Sequence, residues 1–325
     1  MKTFWQGSQR SNDLDKTEPR NSRGSSYKRG IIHILLAAFF FMLMTLFLRL
    51  AGDLPTMEKA LFRNIVAMVM AAVLLMKSGK QSGDRGKASG KSFWGSFRIK
   101  KGCGRDVFLR ALFGTAGVVC NFWAIDRLGL ADSNMLNKMS PFFAMLMSIF
   151  ILKEIPDRFE WGALILAFSG AVLIVKPTAG LASIPAMVGL ASGFFAGTAY
   201  TFLRKAGKKG ERGPIIVFYF SFFSTLMVLP GFLLTYEPMS GKQFIYLLLT
   251  GLSAMGGQLN ITAAYTYAPA KEISVFDYTQ VIFAMIAGFF VFSEVPDFRS
   301  MLGFVIIIGT AIVKWKYSKG KSDEK

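Results

Sequence analysis

Ten stretches of the chain are apolar for long enough to cross the roughly 30 Å hydrocarbon core of a bilayer at about 1.5 Å per residue. They fall at about 31–51, 57–76, 107–127, 131–152, 159–176, 182–204, 214–235, 243–267, 270–292 and 300–317. No water is available there to satisfy backbone N–H and C=O groups, so each stretch must bond to itself and becomes a helix. The composition agrees: 52% of residues are hydrophobic, only 18% are charged, and the charges stand between the apolar blocks. The predicted class is an all-α integral membrane protein with ten transmembrane helices.

A second pattern lies over the first. The passage from Leu130 to Lys176 returns 140 residues later, with Phe143-Ala144-Met145 over Phe283-Ala284-Met285 and Glu154, Pro156 and Asp157 over Glu294, Pro296 and Asp297. The register holds without a gap from Leu112 over Leu252 to Lys176 over Lys316. Phe47-Leu48-Arg49-Leu50-Ala51-Gly52 echoes Phe202-Leu203-Arg204-Lys205-Ala206-Gly207 more loosely, at an offset of 155. A long ungapped match of this kind marks a duplicated unit. The two units are predicted at 30–176 and 182–317, with a disordered tail at 1–29, a flexible basic loop at 78–105 and a short tail at 318–325.

The net charge of +18 suggests a polyanion partner only if the basic residues share a face. Here they lie in tails and loops. Placing both termini in the cytoplasm leaves 29 Lys and Arg residues inside and five outside, with Arg49, Arg63, Arg110 and Lys138 inside spans. That asymmetry predicts cytoplasmic termini and excludes a nucleic-acid role. Five helices per unit is an odd number, so the second copy must cross in the opposite sense, giving inverted repeats. Two such halves can exchange conformations and open one central site to each side in turn.

Other chemistry has little support in the residues. Cys103 and Cys120 make neither a disulfide framework nor a metal-ligand spacing. The single histidine, His33, lies in an apolar helix, where packing is the simpler role. No nucleophile elbow or phosphate-binding loop occurs, so neither an enzyme nor a cofactor is expected.

Polar residues within spans are therefore the functional candidates, because a charge in lipid is costly unless it meets a partner or water. Lys138 and Asp277 each lie seven residues into a helix, at about 10–12 Å depth, and enter from opposite sides. Asn137 and Lys138 register with Asp277 and Tyr278. One reading gives Lys138 an anionic substrate group and Asp277 an ammonium or a proton; the other is a structural ion pair. Gln258 and Asn260, Asn121 and Trp123, and Tyr200 complete the predicted substrate-binding set, with interhelical hydrogen bonding as the alternative for the amides. Gly189, Gly193 and Gly197 form a ridge for close packing. Arg110 is expected to extend to the surface and Arg63 to pair with Glu58 or Asp53. Pro141 and Pro269 are expected to break helices, and Pro156 and Pro296 to mark turns.

Ala116-Gly117, Leu130-Ala131-Asp132, Ser140-Pro141-Phe142 and Lys153-Glu154, on ten helices in two halves, resemble the EamA-type branch of the drug/metabolite transporter superfamily. The resemblance covers residues 30–317. It implies a cavity lined by helices one, three, four, six, eight and nine, and it leaves the substrate open. A permease in the cell (inner or plasma) membrane is expected, moving a small amino-acid-like or amphipathic metabolite, with export favoured and Asp277 as the proton-coupling candidate. An uptake carrier for a vitamin or other metabolite, and a scaffold binding lipid, are the alternatives. The expected partners are the substrate, membrane lipids and protons, and the architecture admits a homodimer.

Overall fold

A computed structural model describes residues 20–83, 93–128, 130–175 and 183–323. Ten helices among the described residues have the length and apolarity to cross a membrane, at Ser25–Leu50, Thr56–Lys77, Gly104–Leu128, Ser133–Leu152, Arg158–Val175, Ile184–Lys208, Gly213–Thr235, Gly241–Tyr267, Ala270–Phe292 and Phe298–Ser318. They correspond one to one with the apolar stretches and are numbered here as the first to tenth spans. Large apolar side chains on their outer faces are exposed, among them Leu234, Phe290 and Ile184. Ala37, Ala144, Leu203, Ile261 and Tyr265 are buried together inside the bundle. A chain that turns Leu and Phe outward over its whole girth has a hydrocarbon surround.

The repeats are visible in backbone detail. The fourth span is broken, with helix over Leu130–Asn137 and again over Ser140–Leu152. At the same register the ninth is irregular, with a 3₁₀ turn at Ser274–Tyr278 before Thr279–Phe292. In the first copy Pro141 supplies the reason, since it has no N–H to offer the preceding turn. Both spans end on a non-glycine residue in the left-handed region, Lys153 (φ 59°) and Ser293 (φ 56°), which closes the helix through Ser148 O and Gly288 O. The next helix is then capped by Asp157 in one copy, accepting from Glu160 N at 2.8 Å, and by Asp297 in the other, accepting from Ser300 N at 3.0 Å.

Tertiary packing follows the same exchange. The third span packs on the sixth and the eighth on the first; the fourth packs on the sixth and the ninth on the first; the second faces the seventh and the fifth the tenth. Exchanging the halves converts this set of neighbours into itself. Opposed crossing of five-helix units makes the relation an inverted one. The first span begins and the tenth ends at the same end of the bundle, called the terminal end below.

The glycine ridge of the sixth span seats the broken fourth span. A Cβ at Gly193 would meet Leu136 O at 3.0 Å, and one at Gly197 would lie 2.6 Å from both Ala144 N and Ser140 O. These contacts are with backbone, which cannot swing away. Gly197→Ala is therefore expected to destabilise the protein by about 1–3 kcal/mol by forcing two spans apart. Gly309→Ala, where nothing lies within 4 Å, should leave stability unchanged or higher. Thermal unfolding of the two variants in detergent compares them directly.

Two boundaries differ from expectation. The first helix starts at Arg20, inside the predicted tail, because the charged residues before the apolar run continue its helix; residues 1–19 lie outside the described residues. The described parts of the predicted loop at 78–105 are structured. The second helix runs to Gly83, and residues 84–92 lie outside the described residues. The part from Phe93 docks on the seventh span and the turn before it: Arg212 donates to Ser96 O at 2.7 Å, Lys100 N to Glu211 Oε2 at 2.8 Å, and the Phe97 ring packs on Phe218. Aromatic and basic residues that look like linker composition here have partners.

Candidate functional site

The two helix breaks face each other inside the bundle. Lys138 Nζ lies 3.0 Å from Asp277 Oδ2 and donates to Gln280 Oε1 at 2.6 Å. The side chains are 14% and 9% exposed, so the pair is largely removed from water. Tyr278 is fully buried and donates from its hydroxyl to Lys138 O at 3.0 Å, taking up a carbonyl that the broken helix leaves free. Desolvation of the two charges offsets most of their attraction, whereas leaving either alone costs about 3–5 kcal/mol.

A second polar group stands beside this pair. Arg110 is 3% exposed and donates from Nη2 to Gln258 Oε1 at 3.0 Å. Its guanidinium lies 4.4 Å from the centre of the Phe220 ring and 5.6 Å from that of Tyr200, which stacks on Tyr265. Its Nε is buried with no hydrogen-bond partner. Arg63 is half-buried and lies within electrostatic reach of Arg110 and Tyr200. No carboxylate among the described residues pairs with either arginine.

Both arginine expectations are thus corrected. Arg110 does not extend to the surface, because Gly114, one turn deeper, leaves room for the guanidinium: a Cβ there would collide with Arg110 Nη1 and the Phe220 ring. That glycine at the fourth position after the arginine is the signal from which an inward-pointing side chain was readable. Arg63 pairs with neither Glu58 nor Asp53; Glu58 is buried and accepts from Glu237 N at 3.3 Å.

The remaining predicted residues are dispersed. Gln258 faces Arg110 on the third span. Asn260, two residues and about 200° further round the helix, turns to the first span and accepts from His33 Nδ1 at 2.7 Å. Asn137 donates to Ser192 Oγ at 3.0 Å across the glycine ridge, and Asn121 accepts from Ser133 Oγ at 3.0 Å. Trp123 lies under Arg127, 3.7 Å from its ring centre. Asn137, Asn121 and Asn260 make helix-to-helix bonds, leaving Lys138, Asp277, Tyr200 and Gln258 as the group gathered with Arg110.

The two ends of the bundle differ. At the terminal end Arg204 holds Glu154 through Nε at 2.8 and 3.0 Å and through Nη2 at 2.8 Å, with Nη1 on Tyr265 O at 3.0 Å. Lys208 joins at 3.3 Å, and the carboxylate and guanidinium are 8% and 6% exposed. Lys314, fully buried, meets Glu160 at 3.2 Å and ties the tenth span to the fifth. At the opposite end the repeat-related partners of Arg204 and Glu154 are Arg49 and Glu294. They also pair, at 2.6 Å, but are 48% and 54% exposed. A cleft of about 210 Å³ opens beside them, lined by Leu48, Arg49, Asp53, Lys59 and Phe122. One pair is buried and its counterpart is half exposed, with Arg49 on the wall of that cleft.

Inverted helical halves, charged groups held at mid-depth on broken helices, and one sealed end define the architecture of a secondary transporter. The chain belongs to the EamA-like transporter family, whose profile matches residues 28–176 and 183–314. Among curated proteins it is 29% identical over 296 residues to the pseudopaline exporter CntI of Pseudomonas aeruginosa, covering 90% of this chain and 98% of that one. It is 25% identical to human solute carrier family 35 member G1 over 310 residues, 89% of this chain and 80% of the other. A riboflavin transporter of Vibrio cholerae is 26% identical over 223 residues, 66% and 73% of the two chains. One solved crystal structure superposes with a TM-score of 0.71 at 13% identity, over 90% of this chain and 98% of its own, which establishes the fold alone. The protein is a multi-pass transporter of small metabolites, and the scaffold alternative falls away.

Proposed function

We propose that the protein exports an organic metabolite across the cell membrane by alternating access, without altering it covalently, and with both termini in the cytoplasm. The observation that carries this reading is the unequal burial of two repeat-related ion pairs. Arg204–Glu154 seals the terminal end while Arg49–Glu294 stands open to solvent. In the reciprocal state the halves exchange conformations, so Arg49–Glu294 becomes the buried seal and Arg204–Glu154 separates. The cytoplasmic placement of the termini rests on the excess of Lys and Arg in the terminal-end loops and tails. Export is supported by similarity to a protein named as an exporter.

In this reading Lys138, Asp277, Arg110, Gln258 and Tyr200 hold the substrate between the two seals, and Asp277 takes up the proton that drives exchange. Substrate and proton occupy this site in turn: the bound substrate meets Lys138 and the ionised Asp277, and protonation of Asp277 from the other side releases it, so the two cross in opposite directions. Everted membrane vesicles, whose interior is acidified by respiration, are expected to accumulate substrates from a labelled metabolite panel. Right-side-out vesicles from the same cells should not. Accumulation confined to right-side-out vesicles would reverse the assigned direction.

A further inference from the structure

The segment before the third span and the turn after the sixth meet at the terminal end and present one kind of surface. In residues 95–106 and 207–213 every exposed residue is a glycine, a lysine or an arginine. The two acids there are buried and committed. Asp106, 2% exposed, meets Lys205 and Lys209, and Glu211 accepts from Lys100 N and Arg212 N at 2.8 and 2.9 Å. The docking itself crowds like charges. Lys100 Nζ donates to Lys209 O at 2.7 Å, and Arg212 Nη2 donates to Ser96 O at 2.7 Å beside Arg98 O. Among the described residues the side chains of Arg98, Lys101 and Arg105 have no hydrogen-bond or ion-pair partner. Holding cations on the cytoplasmic side needs only that they lie in loops; it does not need them fixed side by side.

Directly below this surface the protein offers contacts for hydrocarbon. Arg105, Phe108 and Leu112 follow one another at spacings of three and four on the third span, so they share one face, and all three are exposed. Phe108 and Leu112 stand about 5 and 10 Å deeper than Arg105 along the helix. A row of rings continues from there. Phe108 packs on Phe223 at 5.8 Å, Phe223 on Phe222 at 6.0 Å, Phe222 on Phe218 at 6.3 Å, and Phe218 on Phe97 of the docked segment at 5.0 Å. A soluble anion would use the cations and leave this wall idle. A phospholipid uses both, since its phosphate takes charge-assisted hydrogen bonds from guanidinium groups and its acyl chains lie along the rings and Leu112.

We propose that the terminal end carries a binding site for an anionic phospholipid, with Arg98, Lys101 and Arg105 on the headgroup and Phe108, Leu112 and Phe222 on the acyl chains. The attraction of these cations to an anionic headgroup adds to the contact that any membrane lipid makes with the apolar face. Bound there, the lipid joins the docked segment to the third span, beside the turn whose Lys208 reaches Glu154 of the seal at 3.3 Å. The site is separate from that of the substrate and is independent of the direction of transport.

The test uses purified full-length protein in a neutral detergent at constant ionic strength. The probes are dioctanoyl phosphatidylglycerol, dioctanoyl phosphatidylcholine and glycerol phosphate. Phosphatidylglycerol is expected to raise Tm where the other two at the same concentration do not, since a ligand that binds the folded state stabilises it by mass action. In Arg98→Gln/Lys101→Gln/Arg105→Gln the apparent affinity for phosphatidylglycerol should fall at least tenfold. Lys153→Gln/Arg158→Gln/Lys316→Gln removes the same charge from exposed positions on the turn between the fourth and fifth spans and on the tenth, and should keep the wild-type response. Native mass spectrometry from mixed micelles counts retained phosphatidylglycerol without relying on thermal unfolding. Wild type and the control should hold the lipid there and the site variant should lose it. The proposal is overturned if phosphatidylcholine matches phosphatidylglycerol, or if the site variant and its charge-matched control respond alike. It is also overturned if glycerol phosphate matches the lipid, which would make the surface a site for soluble anions.

Discussion

Glu154→Gln should open the terminal end and reduce transport by about two to three orders of magnitude. The substitution leaves Arg204 buried at 6% exposure with no counter-charge, and its remaining bond to Tyr265 O does not replace one. Breaking such a pair costs about 3–5 kcal/mol, and each 1.4 kcal/mol is tenfold in an equilibrium. Glu294→Gln removes the repeat-related carboxylate, but that pair is half exposed in this state and contributes about 0–1 kcal/mol here. Its cost falls on the reciprocal state. Both variants should therefore transport poorly for opposite reasons. A cysteine at Ala206, fully buried beside the Arg204 seal, separates them when Cys103 and Cys120 are replaced by serine. Ala206→Cys should be silent to a soluble thiol reagent in the parent and with Glu294→Gln, and should react with Glu154→Gln. Equal labelling in the two backgrounds would remove the exchange of seals from the mechanism.

Lys138→Met and Asp277→Asn are each expected to destabilise the protein by about 3–5 kcal/mol, since each leaves a mostly buried partner unmatched. Gln280 remains within reach of Lys138 in the second case, so the aspartate change should be the milder. Combining the two should recover much of the loss, because a neutral pair of similar volume carries no desolvation penalty. A coupling energy near zero in the double-mutant cycle would mean that the pair does not stabilise this state. Stability and function should part company in the double variant, which folds but no longer responds to a pH gradient. Asp277→Asn alone should keep substrate exchange while losing proton-driven accumulation. If it accumulates substrate as wild type does, Asp277 is not the proton carrier.

Much of the fold was legible because bilayer physics restricts the alternatives. Apolar length fixes spans, and backbone satisfaction makes them helices. The same register that aligned Glu154 with Glu294 reappears as matching left-handed caps at Lys153 and Ser293. The candidate site was legible in part. Lys138 and Asp277 stood out as charges at mid-depth, and the structure pairs them. Asn137, Asn121 and Asn260 stood out equally, yet they bond to neighbouring helices, because one or two positions along a helix turn a side chain by about 100–200°. Arg110 was expected to reach the surface and Arg63 to pair with Glu58 or Asp53. Depth alone did not place Arg110; the glycine one turn deeper, which gives its side chain inward room, is the sign that does.

The sequence by itself determined the ten spans, the duplication and the opposed crossing of the halves, since these follow from apolar run length, register and an odd number of helices per unit. Only the tertiary structure decided which charges meet. Arg204 and Glu154 are 50 residues apart and Arg49 and Glu294 are 245, and no local pattern links either pair. Nor could two equivalent pairs be told apart before packing buried one at 6–8% exposure and left the other near half exposed. Identical chemistry in the two halves acquires different energies from its surroundings, because the cost of parting an ion pair is set by the water it has lost.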